Sequence, residues 1–422
     1  MNEVKTYDKR LVVVLGMHRS GTSVITKSLE LLGVGLGDNL HPAGFDNPKG
    51  FWEDRECIEI NEELLKYLGS AYDRLGFAWD QVQTDSRISE LRLKATQLIT
   101  RKLSENNGTW GFKDPRTCRL LDFWREVFLA LACEVNFIIA VRNPVSVVAS
   151  LAKRNNLPAE KAYFLWLQHV LPTFGFMTYA PKVVVDYDEL LANPWLQIVR
   201  ISDKLGLPLP DRHSTSLKEF EDNFLQSELR HTRFTETDLA LDKRASIIVK
   251  QTYGLLHRLA TDQESLCDST VQTMAGELNE RLGSASPAFD YINHLEDERA
   301  ILWQTVTERD GQIANLSQVV AERDGQIANL SQVVAGRDGQ IESLGKQLQE
   351  ILGSNSWLIT KPLRYLRRSY LSRPLMVIRQ YLSYGARHVW RKLPLTLKGK
   401  QGLKSKLFMV LPFLFRHTLA YK

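Results

Sequence analysis

The stretch that decides the fold of this chain is Leu11-Val-Val-Val-Leu-Gly-Met-His-Arg-Ser-Gly-Thr-Ser23. Its apolar start, Leu11 to Leu15, predicts a buried strand, and apolar residues at helical spacing follow from Val24 to Leu32. The loop Gly16 to Ser23 between them then lies at a helix N-terminus, where several backbone N–H groups point at one spot. This arrangement predicts a phosphate site; an ordinary strand-turn-helix crossover is the alternative.

The loop differs from that of a nucleotide triphosphatase in the position of its cation. Gly16 and Gly21 are separated by four residues, as in a Walker A loop, but Thr22 follows where a triphosphatase has Lys. The cation comes earlier, at Arg19. This displacement argues against ordinary ATP hydrolysis and favours another phosphate-bearing donor.

Length and charge indicate more than one part. The chain has 422 residues, 44% of them hydrophobic, and a net charge of +5. From Gly353 to Lys422 there are 15 Lys and Arg and no Asp or Glu, so the 54 basic and 49 acidic residues of the whole chain leave residues 1–352 with a net charge of −10. An acidic body thus precedes a strongly basic tail.

Compartment and membrane signals are few. The four cysteines have no metal-type or disulfide-type spacing, which suits a reducing compartment. The polar start Met1 to Arg10 predicts no signal peptide. The longest apolar run, Leu407 to Phe415, contains Pro412 and is far shorter than the ~20 residues of a spanning helix. We therefore expect a cytoplasmic protein that does not cross a membrane.

Alternating strands and helices predict an α/β fold, a P-loop-type doubly wound parallel sheet flanked by helices. The parts that we expect are a P-loop domain (1–240), a helical extension (241–290), a coiled coil (291–352) and a basic aromatic tail (353–422). The predicted strands are Leu11–Leu15, Gly108–Lys113, Phe137–Val141 and Val183–Asp186, and the clearest helices are Ile88–Ser104 and Pro144–Arg154.

An internal repeat predicts the coiled coil. Residues Glu308–Ala321 recur unchanged as Glu322–Ala335, and apolar residues fall at alternating spacings of three and four. Arg323 and Arg337 fill positions that this pattern reserves for apolar side chains, so a dimer or a trimer would each be marginal. We expect self-association or a simple spacer.

Aromatic and apolar residues are interleaved with the cations of the tail. This combination suits an anionic membrane surface, and it also suits nucleic acid. Since no nucleic-acid-binding motif is recognisable, we favour the membrane surface and expect no nucleic acid partner; a solvated basic tail is the third reading.

A second anchor follows the third predicted strand. Arg142 ends the strand, Asn143 and Pro144 suit the start of a helix, and Ser150 lies eight residues after Arg142. A fixed cation and a hydroxyl at this spacing predict a second phosphate site, with an arginine–carboxylate pair as the alternative.

Together the two anchors resemble the sulfotransferase family, over residues 10 to about 235. The resemblance implies 3′-phosphoadenosine 5′-phosphosulfate as the donor, with its 5′-phosphosulfate in the loop and its 3′-phosphate at Arg142 and Ser150. A third segment, Val183-Val-Val-Asp-Tyr-Asp-Glu-Leu190, resembles a strand and turn found later in these enzymes. The loop residues that the resemblance assigns to donor binding are His18, Arg19, Ser20, Gly21, Thr22 and Ser23.

Two further segments resemble particular sulfotransferases. Gly50-Phe-Trp-Glu-Asp-Arg-Glu56 stands where protein-tyrosine and heparan-type enzymes have a catalytic Glu, and Gly111-Phe-Lys-Asp-Pro-Arg116 resembles a segment whose Lys faces the transferred group. The resemblance implies Glu53 as the base, with Arg19 and Lys113 neutralising the leaving phosphate. The overall sequence, including the stretch Leu229-Arg-His231, also resembles bacterial sulfotransferase-like proteins of surface-polysaccharide gene clusters.

Each assignment has a plainer alternative. The alternatives for Glu53 are a capping role or a pair with Arg55 or another surface cation, and the alternative for Lys113 is a structural ion pair with Asp114. His41 is the rival base. Trp52 and Trp79 are candidates to stack on a sugar, with core packing as the more ordinary role.

The sequence predicts transfer of a sulfuryl group to a hydroxyl of a glycan or lipid-linked glycan, at the cytoplasmic face of the inner membrane. No metal is expected, because no cluster has metal-ligand spacing. The alternatives are a P-loop small-molecule kinase, which would need a Lys after Gly21, and a non-enzymatic coiled-coil membrane scaffold.

Overall fold

The computed structural model describes residues 8–44, 47–76, 79, 83–176, 178, 180–225 and 234–365. Within these, the residues up to Thr305 form one compact unit and those from Val306 form a second. Most of the basic tail lies outside the described residues, so what the sequence predicts for it stays a prediction.

Four strands form a parallel sheet in the order β2-β1-β3-β4. All four predicted strands are confirmed, and helices cover both faces of the sheet, which confirms the α/β class. The strands are β1 (Arg10–Leu15), β2 (Thr109–Lys113), β3 (Glu134–Val141) and β4 (Lys182–Asp186).

The strand β1 is apolar throughout because both of its faces are buried. Leu11, Val13 and Leu15 pack into one apolar cluster, and Val12 and Val14 pack into another on the opposite face. Successive side chains of a strand point to opposite faces. An uninterrupted apolar run is therefore what a sheet covered on both sides requires.

Helices connect the strands of the first unit and extend past them. The predicted helices over 88–104 and 144–154 are confirmed within two residues at each end. The helices are α1 (Thr22–Ser28, continued by a 3₁₀ turn at Leu29–Leu32), α2 (Arg55–Tyr67), α3 (Ser86–Glu105), α4 (Leu121–Leu129, preceded by a 3₁₀ turn at Pro115–Arg119), α5 (Pro144–Asn155), α6 (Ala159–Gly175), α7 (Tyr187–Ala192), α8 (Pro194–Leu205), α9 (Thr215–Phe224), α10 (Glu236–Leu241), α11 (Ile247–Ala260), α12 (Ser269–Gly283), α13 (Ser286–Gly353) and α14 (Asn355–Ile359).

The sheet order places the functional candidates at one edge. The chain turns to opposite sides after β1 and β3, so the gap between these adjacent strands is a topological switch point, where ligands of open α/β sheets bind. Val14 is in register with both Lys113 and Ile138, and Val141 is in register with Asp186. The loops after β1 and β3 and the end of β2 therefore meet at the carboxyl edge of the sheet.

A single helix, α13, carries the repeats. It begins at Ser286 and runs through both copies of the repeat and a diverged third copy that starts at Gly336. Its repeat residues are exposed; Leu316 and Leu330, for example, are each 64% exposed. Among the described residues, no helix is both long and apolar enough to span a membrane.

Candidate active site

The loop after β1 is held close to the sheet. The N–H of Gly16 donates to the buried Sγ of Cys118 at 2.9 Å, and a Cβ at Gly16 would lie 2.7 Å from the carbonyl oxygen of Ala140 on β3. Arg19 and Gly21 both adopt left-handed backbone, with φ of 71° and 81°. A left-handed conformation is costly for a residue with a Cβ, so strain is concentrated at Arg19, as it often is in functional loops.

This loop leads into α1, and the first backbone N–H groups of the helix are available to a ligand. Gly21 is the N-cap residue and has no side chain to satisfy them. Ser20 is fully buried next to it, and its Oγ has no hydrogen-bond partner among the described residues. Because a buried hydroxyl normally has a partner, these groups fit an anion bound at the loop.

One end of the loop gathers two arginines and a hydroxyl, and we call it the donor end. The Nε of Arg19 donates to the Oγ of Ser150 at 2.8 Å, and an Nη of Arg142 donates to the carbonyl oxygen of Arg19 at 3.2 Å. Guanidinium and hydroxyl donors in this arrangement suit a phosphate. The two predicted anchors are therefore adjacent, and the side chain of Arg19 reaches the Arg142–Ser150 anchor.

Tyr187 completes the donor end. Its ring lies against Gly21, where a Cβ would come within 2.2 Å of the ring, and the guanidinium carbon of Arg142 lies 4.7 Å from the ring centroid. The ring thus fixes the spacing between the loop and Arg142. Tyr187 lies in the third segment that resembles sulfotransferases, but no role was predicted for it, although it directly follows β4 and so belongs to the carboxyl edge of the sheet.

The other end of the loop, which we call the transfer end, holds a buried ion pair. The Nζ of Lys113 donates to an Oε of Glu53 at 2.6 Å and to the Oγ of Ser23 at 3.5 Å. Lys113 is 2% exposed and Glu53 is 6% exposed. The structure therefore joins two segments that lie 60 residues apart, and Lys113 links the carboxylate to the loop.

Arg116 adds a further cation that sequence reasoning did not assign. Its Nη1 lies 3.9 Å from the second Oε of Glu53 and also contacts Asp114, at 2.9 Å. Asp114 thus pairs with Arg116, and it accepts a further hydrogen bond from Asn61. The signal was present in the sequence, since Arg116 lies three residues after Lys113 in the same quoted segment.

A buried ion pair also positions Glu53. Asp54 caps α2 by accepting hydrogen bonds from the N–H groups of Glu56 and Cys57, and the Nζ of Lys102 lies 3.0 Å from its other oxygen. Lys102 and Asp54 are 3% and 1% exposed. The residue before Glu53, Trp52, has φ of 57°. Both neighbours of the carboxylate are therefore fixed by the fold.

Two histidines lie behind the loop. The ring of His18 packs edge-on against His169 and Tyr72, with centroid distances of 6.0 and 5.6 Å. Burial, reinforced by nearby cations including Arg116, lowers the pKa of His18 well below its usual value, and burial lowers the pKa of His169 to about 3. Both rings are therefore neutral near pH 7. His169 could not be selected from the sequence, because nothing distinguishes it from an ordinary helix residue.

The remaining candidates contact aromatic or apolar side chains. His41 is exposed and its ring contacts Phe51, while Trp52 and Trp79 pack against apolar clusters. The Oγ of Ser23 also donates to the carbonyl oxygen of Phe51, so the segment before Glu53 is tied to the loop. Of the predicted loop residues, Thr22 is buried at the first turn of α1. The described residues contain no group of three or more His, Cys, Asp or Glu that could hold a metal ion.

Comparisons with known proteins find similarity only among solved structures: no protein-family model and no curated protein matches the chain. A sulfotransferase domain of an olefin synthase from Synechococcus PCC 7002 is 15% identical, with a TM-score of 0.35, and the match covers 60% of this chain and 98% of that one. The sulfotransferase domain of the curacin biosynthetic pathway is 15% identical, with a TM-score of 0.33, covering 65% and 99%. The sulfotransferase STF9 from Mycobacterium avium is 15% identical, with a TM-score of 0.34, covering 65% and 77%.

Proposed function

We propose that the chain is a sulfotransferase that moves a sulfuryl group from 3′-phosphoadenosine 5′-phosphosulfate to an acceptor hydroxyl. The observation that carries the proposal is the double attachment of one loop. Through Arg19 it contacts Ser150 and Arg142, and through Ser23 it contacts the buried Lys113–Glu53 pair. A donor with two separate phosphates and a group to transfer needs both kinds of contact.

In this proposal the donor end binds the nucleotide. Arg142 and Ser150 hold the 3′-phosphate, since a guanidinium and a hydroxyl give charge-assisted hydrogen bonds. Arg19, to which the resemblance gives a role at the leaving phosphate beside Lys113, is proposed to contribute to this anchor instead, because its Nε donates to the Oγ of Ser150. The N–H groups of Gly21, Thr22 and Ser23 hold the 5′-phosphosulfate at the start of α1, and Ser20 is a further donor close to it. His18 lies behind the loop and shapes it.

The transfer end performs the displacement. The acceptor oxygen attacks sulfur, the bond from sulfur to the bridging oxygen breaks, and adenosine 3′,5′-bisphosphate leaves with the electron pair. Glu53 takes the proton of the acceptor hydroxyl. Lys113 neutralises the charge that develops on the leaving phosphate, and its contact with Ser23 keeps it beside the loop. Positioning and electrostatics thus supply the rate, as in phosphoryl transfer.

We propose a glycan hydroxyl, or that of a lipid-linked glycan, at the cytoplasmic membrane face as the acceptor. The support comes from the sequence: 15 Lys and Arg without any acid from residue 353 onward, with aromatic residues between them. Such a segment is attracted to anionic lipid, by about 1 kcal/mol per cation near the surface. Peripheral attachment would bring the site to substrates that are embedded in the membrane.

Calorimetric titration with adenosine 3′,5′-bisphosphate, beside ATP with Mg²⁺, tests the donor. The proposal expects tight binding of the bisphosphate and weak binding of ATP, because Thr22 replaces the lysine of a triphosphatase loop. Preferential binding of ATP would indicate a kinase instead. Binding of neither ligand would favour the scaffold.

Co-sedimentation of the full chain with vesicles tests the membrane attachment. We expect binding to vesicles that contain phosphatidylserine or cardiolipin, little binding to phosphatidylcholine alone, and loss of binding as salt rises. Equal binding to neutral and anionic vesicles would contradict an electrostatic attachment. Incorporation of ³⁵S from labelled donor into membrane-extracted glycolipids would then identify the acceptor.

A further inference from the structure

The repeats place a long apolar stripe on α13 that the described chain leaves exposed. We call these ten residues the repeat stripe, and each is between 53% and 66% exposed. They are Ile313, Leu316, Val320, Ile327, Leu330, Val334, Ile341, Leu344, Leu348 and Ile351. An apolar stripe of this length on a helix marks an interaction surface.

The order of residue types in the stripe specifies what covers it. In heptad notation Ile313 takes position a and Leu316 position d, and through Leu344 every a residue is Ile or Val and every apolar d residue is Leu. β-branched residues at a with Leu at d favour two parallel strands. Higher oligomers prefer Ile at d, which occurs only at the last position, Ile351.

Charged residues interrupt the stripe at regular intervals. Arg309, Arg323 and Arg337 occupy d positions, and an Asp follows each of them at position e. Adjacent residues do not face each other on a helix, so each Arg is poorly placed to pair with its own Asp. Among the described residues, no ion pair joins Arg323 or Arg337 to a carboxylate of the same chain.

We infer that a second copy of this chain covers the repeat stripe, as a parallel two-stranded coiled coil in register. In such a pair a d residue packs beside the d and e residues of the other helix. The stem of each Arg covers apolar neighbours, and its guanidinium reaches the Asp that follows the same d position in the partner. Each repeat then contributes two symmetry-related Arg–Asp pairs between the chains.

The glycines and the ends of the repeat agree with this arrangement. Gly311, Gly325 and Gly339 take the outward position f, and nothing lies within 4 Å of where their Cβ atoms would be. They therefore weaken the helix without opening the interface. A slip of one repeat would set Ile341 opposite Asn355, and Leu348 opposite Pro362, so the unslipped register buries more of the stripe.

Light scattering of the full chain tests the number of strands. We expect a mass of twice 48.3 kDa at micromolar concentration. Leu316→Asp with Leu330→Asp is expected to give monomers with an unchanged thermal transition of the first unit. Glu322→Lys, at the outward position c, is the matched control and should remain a dimer. A wild-type chain that is monomeric or trimeric overturns the inference.

A charge exchange tests the Arg–Asp pairs. One variant carries Arg323→Asp and Arg337→Asp, and the other carries Asp324→Arg and Asp338→Arg. Each alone places like charges across the interface and should dissociate more than ten-fold more readily than the wild type. Mixing the two should restore dimers that contain one copy of each. Failure of the mixture to pair overturns the proposed contacts.

Spin-label distances test direction and register, in a background that carries Cys267→Ser because Cys267 is exposed. Labels at Gln318→Cys or Lys346→Cys, both at position f, should each give one interchain distance of roughly 20–25 Å, since packed helices lie about 10 Å apart. An antiparallel pair, or one slipped by a repeat, would separate at least one of the label pairs by more than that. Such a long distance contradicts the inference.

Discussion

The two ends of the β1–α1 loop contain different chemistry. The donor end gathers two guanidinium groups and a hydroxyl, which are groups that bind phosphate. The transfer end gathers an ammonium, a carboxylate and a hydroxyl, with the ammonium–carboxylate pair almost fully buried. The difference indicates that binding and proton transfer are separate tasks, joined by a few residues of one loop. Variants at the two ends should therefore fail in different ways.

The largest effect is expected at the transfer end. Glu53→Gln keeps the shape of the side chain and removes the base, so turnover should fall by about 10²–10⁴-fold. The dissociation constant of the spent donor should change little, because Glu53 does not belong to the donor end. Release of ³⁵S-sulfate from labelled donor to water measures turnover without a known acceptor. Equal losses of donor affinity and turnover would contradict the separation of binding and proton transfer between the two ends of the loop.

Stability gives a second readout of the same pair. Lys113→Met leaves the Glu53 carboxylate buried without its partner, and we expect a loss of about 3–5 kcal/mol in the free energy of unfolding. The double variant Lys113→Met with Glu53→Gln removes both charges and should recover most of it. Denaturant titration measures both. Additive losses in the double variant would show that the two residues do not act as a pair.

The next largest effect is expected at the donor end. Arg142→Ala removes charge-assisted hydrogen bonds worth about 1.5–3 kcal/mol, so the bisphosphate should bind about 10–100-fold more weakly. Turnover at saturating donor should stay within a few-fold of the wild type. Arg87→Ala is the matched control, since Arg87 is an exposed arginine that pairs with Glu63 and Glu90. Unchanged affinity in Arg142→Ala would remove the 3′-phosphate assignment.

The link between loop and donor end is tested at Gly21. Gly21→Ala combines left-handed backbone with a Cβ that would overlap the ring of Tyr187. Gly69 also has positive φ but has nothing within 4 Å. Gly69→Ala should therefore lower the free energy of unfolding only by the cost of a left-handed alanine, about 1 kcal/mol. Gly21→Ala should lower it by more and should also weaken bisphosphate binding. Thermal unfolding and calorimetry compare the two, and equal losses would contradict the packing role of Tyr187.

The last effect concerns stability alone and depends on pH. Since the pKa of His169 is about 3 in the folded chain, the unfolded chain binds a proton there below about pH 6.5 and the folded chain does not. The free energy of unfolding then falls as pH drops from about 6.5 toward 3, by about 1.4 kcal/mol per pH unit. His169→Gln should remove the contribution of His169 to this slope between pH 6 and 4.5 and leave the contribution of His18, whose pKa burial also lowers. The exposed His294, replaced by Gln, is the control and should leave the slope unchanged.

Much of the fold was predictable from local patterns. The four strands are continuous apolar runs, and the helix after β3 begins at Pro144 with Asn143 as its cap, as those residues favour. The roles of Glu53 and Lys113 were predictable only from the family resemblance, since no local sequence pattern places the two residues together. Their contact depends on sheet order and on the path of the chain around α2.

What the sequence could not indicate depends on long-range packing. His169 and Tyr187 take their places because α6 and the end of β4 reach the loop from other parts of the chain. The direction of Arg19 toward Ser150 follows from its left-handed backbone, which its residue type does not favour. In contrast, the repeat stripe could be described fully from spacing, because a single helix needs no tertiary information.

The most direct test of the two-ended site measures donor affinity and turnover together in Arg142→Ala and Glu53→Gln. Affinity comes from calorimetry with adenosine 3′,5′-bisphosphate, and turnover from ³⁵S release at saturating donor. We predict that Arg142→Ala loses affinity and keeps turnover, whereas Glu53→Gln keeps affinity and loses turnover. If both variants lost the same property, or neither lost any, the assignment of binding to one end and chemistry to the other would be contradicted.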